Sequence, residues 1–101
     1  MIDRDHEGFL RNPKDWDPKV AIAIAADLGV ELGPDHQEII QLLRQYYSTF
    51  GLSPPSRVLL KLVQRDIDPT FFCIQLMKLF GGRARRNLAQ IAGLPKPSDC
   101  D

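Results

Sequence analysis

Apolar side chains recur at helical spacing along most of this chain, in segments cut apart by proline and glycine. Ile39, Leu42, Leu43, Tyr46, Tyr47 and Phe50 follow the i, i+3, i+4 rule, as do Val58, Leu59, Leu62 and Val63. Phe72, Leu76, Leu79 and Phe80 make a further stripe. Each stripe predicts a helix with one face in a core. Punctuation sets the ends. Asp17-Pro18 reads as a cap followed by proline at the first helical position, and Gly29 closes that segment. Pro34 opens a second helix to about Phe50, with Gly51 as its stop. Ser53-Pro54 opens a third to about Arg65, Asp68-Pro69 a fourth that ends at Gly81-Gly82, and a fifth runs from about Arg83 to Ala92. Proline suits these starts because the N–H it lacks would have no intrahelical partner. Residues before Pro18 show no helical stripe and suggest irregular or weakly extended chain. The expected fold is mainly α, a small orthogonal bundle of about five short helices.

Composition bounds the class. A chain of 101 residues with 44% hydrophobic content suits one domain that folds without staples. It divides into an N-terminal segment 1–16, a helical core 17–92 and a mobile arm 93–101. No run approaches the ~20 apolar residues that cross a bilayer, so no membrane partner is expected. Met1-Ile2-Asp3-Arg4-Asp5 lacks the apolar stretch of a signal peptide, and the expected setting is the cytoplasm, where thiols stay reduced. Charge is balanced overall but not along the chain. Residues 1–68 hold eleven acids and eight bases, whereas Pro69 to Ser98 holds five bases (Lys78, Arg83, Arg85, Arg86, Lys96) and no acid. A local cationic surface on a neutral protein argues for a specific contact over general nucleic-acid affinity. Arg83, Arg85 and Arg86 are placed to guide an acidic tail, dock an acidic partner or meet RNA phosphate; a solvated helix face is the plainer reading.

The chemistry lies at the end of the chain. Gly93 predicts a helix stop, and two prolines flanking Lys96 hold the next residues extended. That arm carries Cys100 to the penultimate position, where a sulfur is placed to be reached by another molecule. A frayed, functionless terminus is the alternative. A thiol attacks sulfane sulfur as the thiolate, and Asp99, Asp101 and the terminal carboxylate disfavour that form. Activation is therefore expected from cations, either the three arginines or a docked partner's residues. Cys73, inside an apolar stripe, reads as a buried and inert small hydrophobe. His6 and His36 make no metal site with the cysteines at any familiar spacing. His36, one turn into its helix, reads as a cap or a partner contact, and Trp16 as a packing anchor. Gly81-Gly82 lacks the Lys-Ser/Thr of a phosphate loop, and no cofactor is expected.

The run Ile91-Ala92-Gly93-Leu94-Pro95-Lys96-Pro97, with Cys100 penultimate, resembles the carboxy-terminal signature of the TusE/DsrC family of sulfur-relay proteins. Further matches lie upstream in order: Glu7-Gly8-Phe9-Leu10, Asp15-Trp16, Leu32 with Pro34 and His36, Leu43-Arg44 with Tyr47 and Phe50, Pro54 with Arg57, and Leu79-Phe80. The resemblance implies a short N-terminal hairpin and a cysteine that accepts a persulfide from one partner and delivers it to another. It also implies that Arg57 and Lys61 line the surface near the tail. Members with two thiols carry the second eleven positions before the last, and that position is Ala89 here. The chain is similar to the single-cysteine type, associated with 2-thiouridine formation in tRNA or with sulfur oxidation. It departs from the family pattern at Gln37, where tryptophan is usual, and at Phe80-Gly81-Gly82-Arg83, where the family has Phe-Pro-x-Gly.

The leading expectation is thus a covalent sulfur carrier, a sulfurtransferase without a substrate pocket of its own. Cys100 carries the sulfur, while Arg57, Lys61, Arg83, Arg85, Arg86 and Lys96 dock the tail or a partner. Its partners are a sulfur-donor complex and a sulfur-acceptor protein, with tRNA associated only indirectly. Two other readings stand: an adaptor that docks on an enzyme without moving sulfur, and a helix-turn-helix-like nucleic-acid-binding module.

Overall fold

Proline and glycine end the helices largely where their backbone chemistry requires. In the computed structural model, which describes residues 3–96, the helices are α1 Pro18–Asp27, α2 Pro34–Phe50, α3 Ser56–Asp66, α4 Cys73–Phe80 and α5 Ala84–Ile91. The Asp17 carboxylate caps α1 by accepting the Val20 N–H at 2.8 Å. His36 caps α2: its Nδ1 accepts the Gly33 N–H at 3.1 Å, which leaves Nε2 to donate to Leu79 O at 2.8 Å. The cap reading of His36 therefore holds, and the same ring ties α2 to the end of α4.

Two helices begin later than the sequence predicts. The third was expected from Ser53-Pro54 but starts at Ser56. Pro54 is followed by Pro55, and a residue before proline is driven out of the α region, so neither can open the helix. The fourth was expected from Asp68-Pro69 but starts at Cys73. Asp68 Oδ1 accepts both the N–H and the hydroxyl of Thr70, at 2.9 and 2.7 Å, and this side-chain turn competes with helix. The shift changes which ring is buried. Phe71 enters the core, whereas Phe72 becomes the cap residue of α4 and is 58% exposed. Cys73 is exposed as well, so the buried, inert thiol expected there is not what the fold contains. Phe50, placed in the α2 stripe, is likewise exposed at the helix end.

Helix α5 is the centre of the fold. Six of its eight residues are buried, and it packs on α4, α1 and α2. Leu88 and Ile91 meet Ile24, Ile39, Leu59 and Phe80 in one core, and Leu94, beyond the helix, is buried with them. Fully burying one such side chain contributes roughly 1.5–3 kcal/mol, so the chain stays anchored past the end of α5.

Ahead of α1, one antiparallel bridge joins Arg4 and Leu10, with Gly8 at φ +95° in the turn between them. This is the smallest form of the hairpin that the resemblance implies. A 3₁₀ turn at Pro13–Asp15 then delivers Trp16 to the core. No helix among the described residues is long and apolar enough to cross a membrane.

Candidate functional site

The root of the carboxy-terminal arm is a built structure. Helix α5 ends in a paired-bond turn: Leu94 N–H donates to Ala89 O at 2.9 Å and Gly93 N–H to Gln90 O at 3.1 Å, with Gly93 left-handed at φ +73°. Trp16 lies against this glycine so closely that a Cβ there would come within 2.5 Å of the indole Cδ1. The indole Nε1 donates to Ile91 O at 2.8 Å. Arg44 of α2 completes the hub, its guanidinium 4.0 Å from the Trp16 ring centroid and its Nη1 donating to Ala92 O. A cation on the last carbonyls of a helix also complements the helix dipole. The packing-anchor reading of Trp16 holds, and what it anchors is the point where the arm leaves the core.

Two further contacts guide the chain beyond Gly93. Ser53 Oγ donates to Pro95 O at 3.0 Å, and Lys96 Nζ donates to Glu7 Oε2 at 2.8 Å. The Glu7 carboxylate also takes Arg86 Nη2 at 3.4 Å, and Arg86 itself lies over the Phe9 ring. The hydrogen bond from Lys96, with help from its charge and from Arg86, holds the Glu7 carboxyl below the usual carboxylate range, against an opposing cost of desolvation. A depressed folded pKa means that the pair is complete above the ordinary glutamate range and is lost as pH falls through the depressed value. Lys96→Met is expected to move the Glu7 titration back up toward an ordinary carboxylate. NMR titration of its carboxyl carbon checks this, and an unmoved midpoint would assign the shift to Arg86 alone.

The residues singled out from the sequence fall into separate places. Arg57 and Lys61 are exposed, one turn apart on α3, and Arg83 is exposed at the cap of α5. Arg85 was expected on the same solvated cationic face but is 3% exposed. Its Nη2 donates to Pro54 O at 2.7 Å and its Nη1 to Ser56 Oγ at 3.5 Å, so it secures the α2–α3 corner that Ser53 offers to the arm. Burial of α5 on nearly all sides is the reason, since residue 85 of a central helix has nowhere to reach water. Arg86 and Lys96 converge on Glu7. Cys100 lies outside the described residues. Ala89, the position at which the resemblance implies a second thiol in other members, is buried.

Sequence reasoning missed Glu7, Ser53 and Arg44 as parts of this site. Their contacts to the arm span 89, 42 and 48 residues, distances over which spacing carries no signal. Among the described residues, no three His, Cys, Asp or Glu side chains gather where they could hold a metal ion.

The family described as DsrC like protein matches residues 1–100. Sulfurtransferase TusE from Buchnera aphidicola subsp. Acyrthosiphon pisum is 36% identical over 100 residues, covering 98% of this chain and 88% of the relative. Sulfurtransferase TusE from Escherichia coli (strain K12) is 33% identical, covering 98% and 92%. Among solved structures, the oxidized gamma-subunit of the dissimilatory sulfite reductase (DsrC) from Archaeoglobus fulgidus superposes with a TM-score of 0.85 at 36% identity, covering 99% of this chain and 92% of that one. Allochromatium vinosum DsrC, solved by NMR, gives 0.89 at 36% identity, covering 99% and 90%. A match over the whole helical core and the root of the arm places this chain in the DsrC-like family.

Proposed function

We propose that this protein is a persulfide carrier in a cytoplasmic sulfur relay, with Cys100 as the atom that holds the sulfur. The reading takes residues 1–101 as one domain with 93–101 as its cysteine-bearing arm. The observation that carries it is the root of that arm: Trp16, Arg44, Ser53 and Glu7 hold the last residue of α5 and the few residues after it, on a chain whose relatives are named sulfurtransferases. A functionless tail needs no such seat.

The chemistry conserves sulfur and charge. The Cys100 thiolate attacks the terminal sulfur of a donor protein's persulfide, the new S–S bond forms, and the donor's thiolate leaves. An acceptor thiolate then attacks the terminal sulfur on Cys100, and the Cys100 thiolate is the leaving group. No external oxidant enters either step. With alanine at position 89 the chain cannot close a bridge between that position and Cys100, which favours one-thiol relay toward tRNA 2-thiouridine or sulfur oxidation over polysulfide-bridge chemistry with sulfite reductase. Any association with tRNA then runs through the acceptor. Arg57, Lys61, Arg83, Arg86 and Lys96 dock the acidic end of the arm or a partner, offsetting the charges beside the thiol, while the buried Arg85 stays on Pro54 O and Ser56 Oγ.

The test is mass spectrometry of the intact chain and its C-terminal peptide after incubation with a cysteine desulfurase and cysteine, or with polysulfide. One reducible sulfur on the peptide containing Cys100 is expected. A folded chain whose Cys100 takes no sulfur from either donor sinks the proposal.

A further inference from the structure

Glu7 takes no part in the relay chemistry, yet several parts of the fold hold it in place. Within the N-terminal turn, Asp5 Oδ1 accepts the N–H groups of Glu7 and Phe9, at 2.9 and 3.0 Å. From α5, the buried Gln90 donates Nε2 to Glu7 O at 3.2 Å. One turn earlier, Arg86 Nη2 reaches the Glu7 carbonyl and carboxylate, each at 3.4 Å. Residues four apart on a helix share a face, so α5 presents both donors to the same loop. Gly8, left-handed at φ +95°, lets the turn lie against Gln90; a Cβ there would stand 3.0 Å from Gln90 Oε1. The carboxylate held in this way receives Lys96 Nζ.

We propose that Glu7 is a positioning residue for the cysteine arm, a preset carboxylate that takes Lys96 and so sets where the arm leaves the fold. The proposal rests on the reading of Cys100 as the sulfur-carrying atom. Four residues lead from Lys96 to Cys100, and extended chain spans at most about 3.3–3.6 Å per residue, so a held Lys96 confines the Cys100 Cα to within about 14 Å of its own. Release moves the last hold back to Pro95 or Leu94 and the limit out to roughly 17–21 Å. The accessible volume then grows about two- to threefold, and the effective concentration of the thiol at a docked partner falls by the same factor. An exposed ion pair suits this role, because it directs the arm without locking it.

The experiment is pulsed EPR on the full chain. Nitroxides are placed on Cys100 and on Gln41→Cys at the exposed face of α2, in a Cys73→Ser background. Glu7→Ala and Lys96→Ala should each widen the distance distribution, to an extent matching that two- to threefold volume. The double variant should widen it no further, since both changes remove one contact. Lys96→Arg should restore the narrow distribution, which a merely structural role for Lys96 would not predict. Equal distributions in the parent chain and Glu7→Ala overturn the proposal, as does additive widening in the double variant. Melting curves of each variant show that the fold is kept. Sulfur loading of the unlabelled chain is measured alongside; if Cys100 does not load, the carrier reading falls while the distances still decide the role of Glu7.

Discussion

Cys100→Ser is expected to take no sulfur from a protein persulfide donor, a complete loss, while Cys73→Ser loads as the parent chain does. The reason for the first is chemical: a hydroxyl neither displaces a thiolate from sulfane sulfur nor holds that sulfur in a stable bond at neutral pH. The second needs the structure. Cys73 is exposed and sits among outward-facing Phe72, Ile74 and Met77, which are 58%, 59% and 50% exposed. Access is half of what makes a thiol reactive. A small reagent such as polysulfide should therefore modify both cysteines, and Cys73→Ser should remove one of two added sulfurs. A donor protein must instead dock, and the proposed function gives that docking to the arm's Cys100, not to Cys73 on the face of α4. Intact masses with the two kinds of donor, across the two variants, separate these cases. Loading of Cys100→Ser by the protein donor would move the carrying site to Cys73 and end the assignment.

Much of the fold was legible because its helix boundaries are local chemistry. Asp17-Pro18, Gly29, Gly51 and Gly93 act through their own backbone preferences, and the structure uses each as expected. The errors came where two local rules competed. Pro54-Pro55 obeys the rule for residues before proline over the rule that proline opens helices. Asp68 spends its carboxylate on Thr70, not on a helix cap. A delay of a few residues then turned Phe72 and Cys73 outward and brought Phe71 in.

Arg85 failed differently. Its charge suggested water, but the amphipathic rule assumes a helix with one wet face, and α5 is covered on nearly all sides. The burial is tolerable because the guanidinium finds the Pro54 carbonyl. The arm itself was legible as Gly-Leu-Pro-Lys-Pro; its seat was not. Trp16 meets Ile91 across 75 residues and Glu7 meets Lys96 across 89, and no periodicity reports contacts of that range.

Gly93→Ala should be among the most destabilising single substitutions in the chain, by about 3 kcal/mol, and Gly51→Ala is its natural control. Both glycines are left-handed, each at φ +73°. An L side chain in that region costs roughly 1–2 kcal/mol. At Gly51 nothing stands within 4 Å of the added Cβ, so strain is the whole effect. At Gly93 the same atom would lie 2.5 Å from Trp16 Cδ1 and 2.9 Å from its Cβ and Cγ. Rotating the indole does not relieve the contact with Cβ, which moves only with the backbone. Displacing Trp16 breaks its bond to Ile91 O, and an unpaired buried polar group costs about 1–3 kcal/mol. For a chain of this size 1 kcal/mol shifts the melting temperature by roughly 4–8 °C, so Gly93→Ala should melt about 12–24 °C lower and Gly51→Ala about 4–16 °C lower. Trp16→Ala combined with Gly93→Ala should cost less than the sum of the two, because the first removes Cδ1 and Cγ, two of the three atoms that the second strikes, and already breaks the bond to Ile91 O. Thermal melts of the four variants decide it. If Gly93→Ala and Gly51→Ala melt together, the arm is not seated on Trp16, and the hub at its root is looser than its geometry implies.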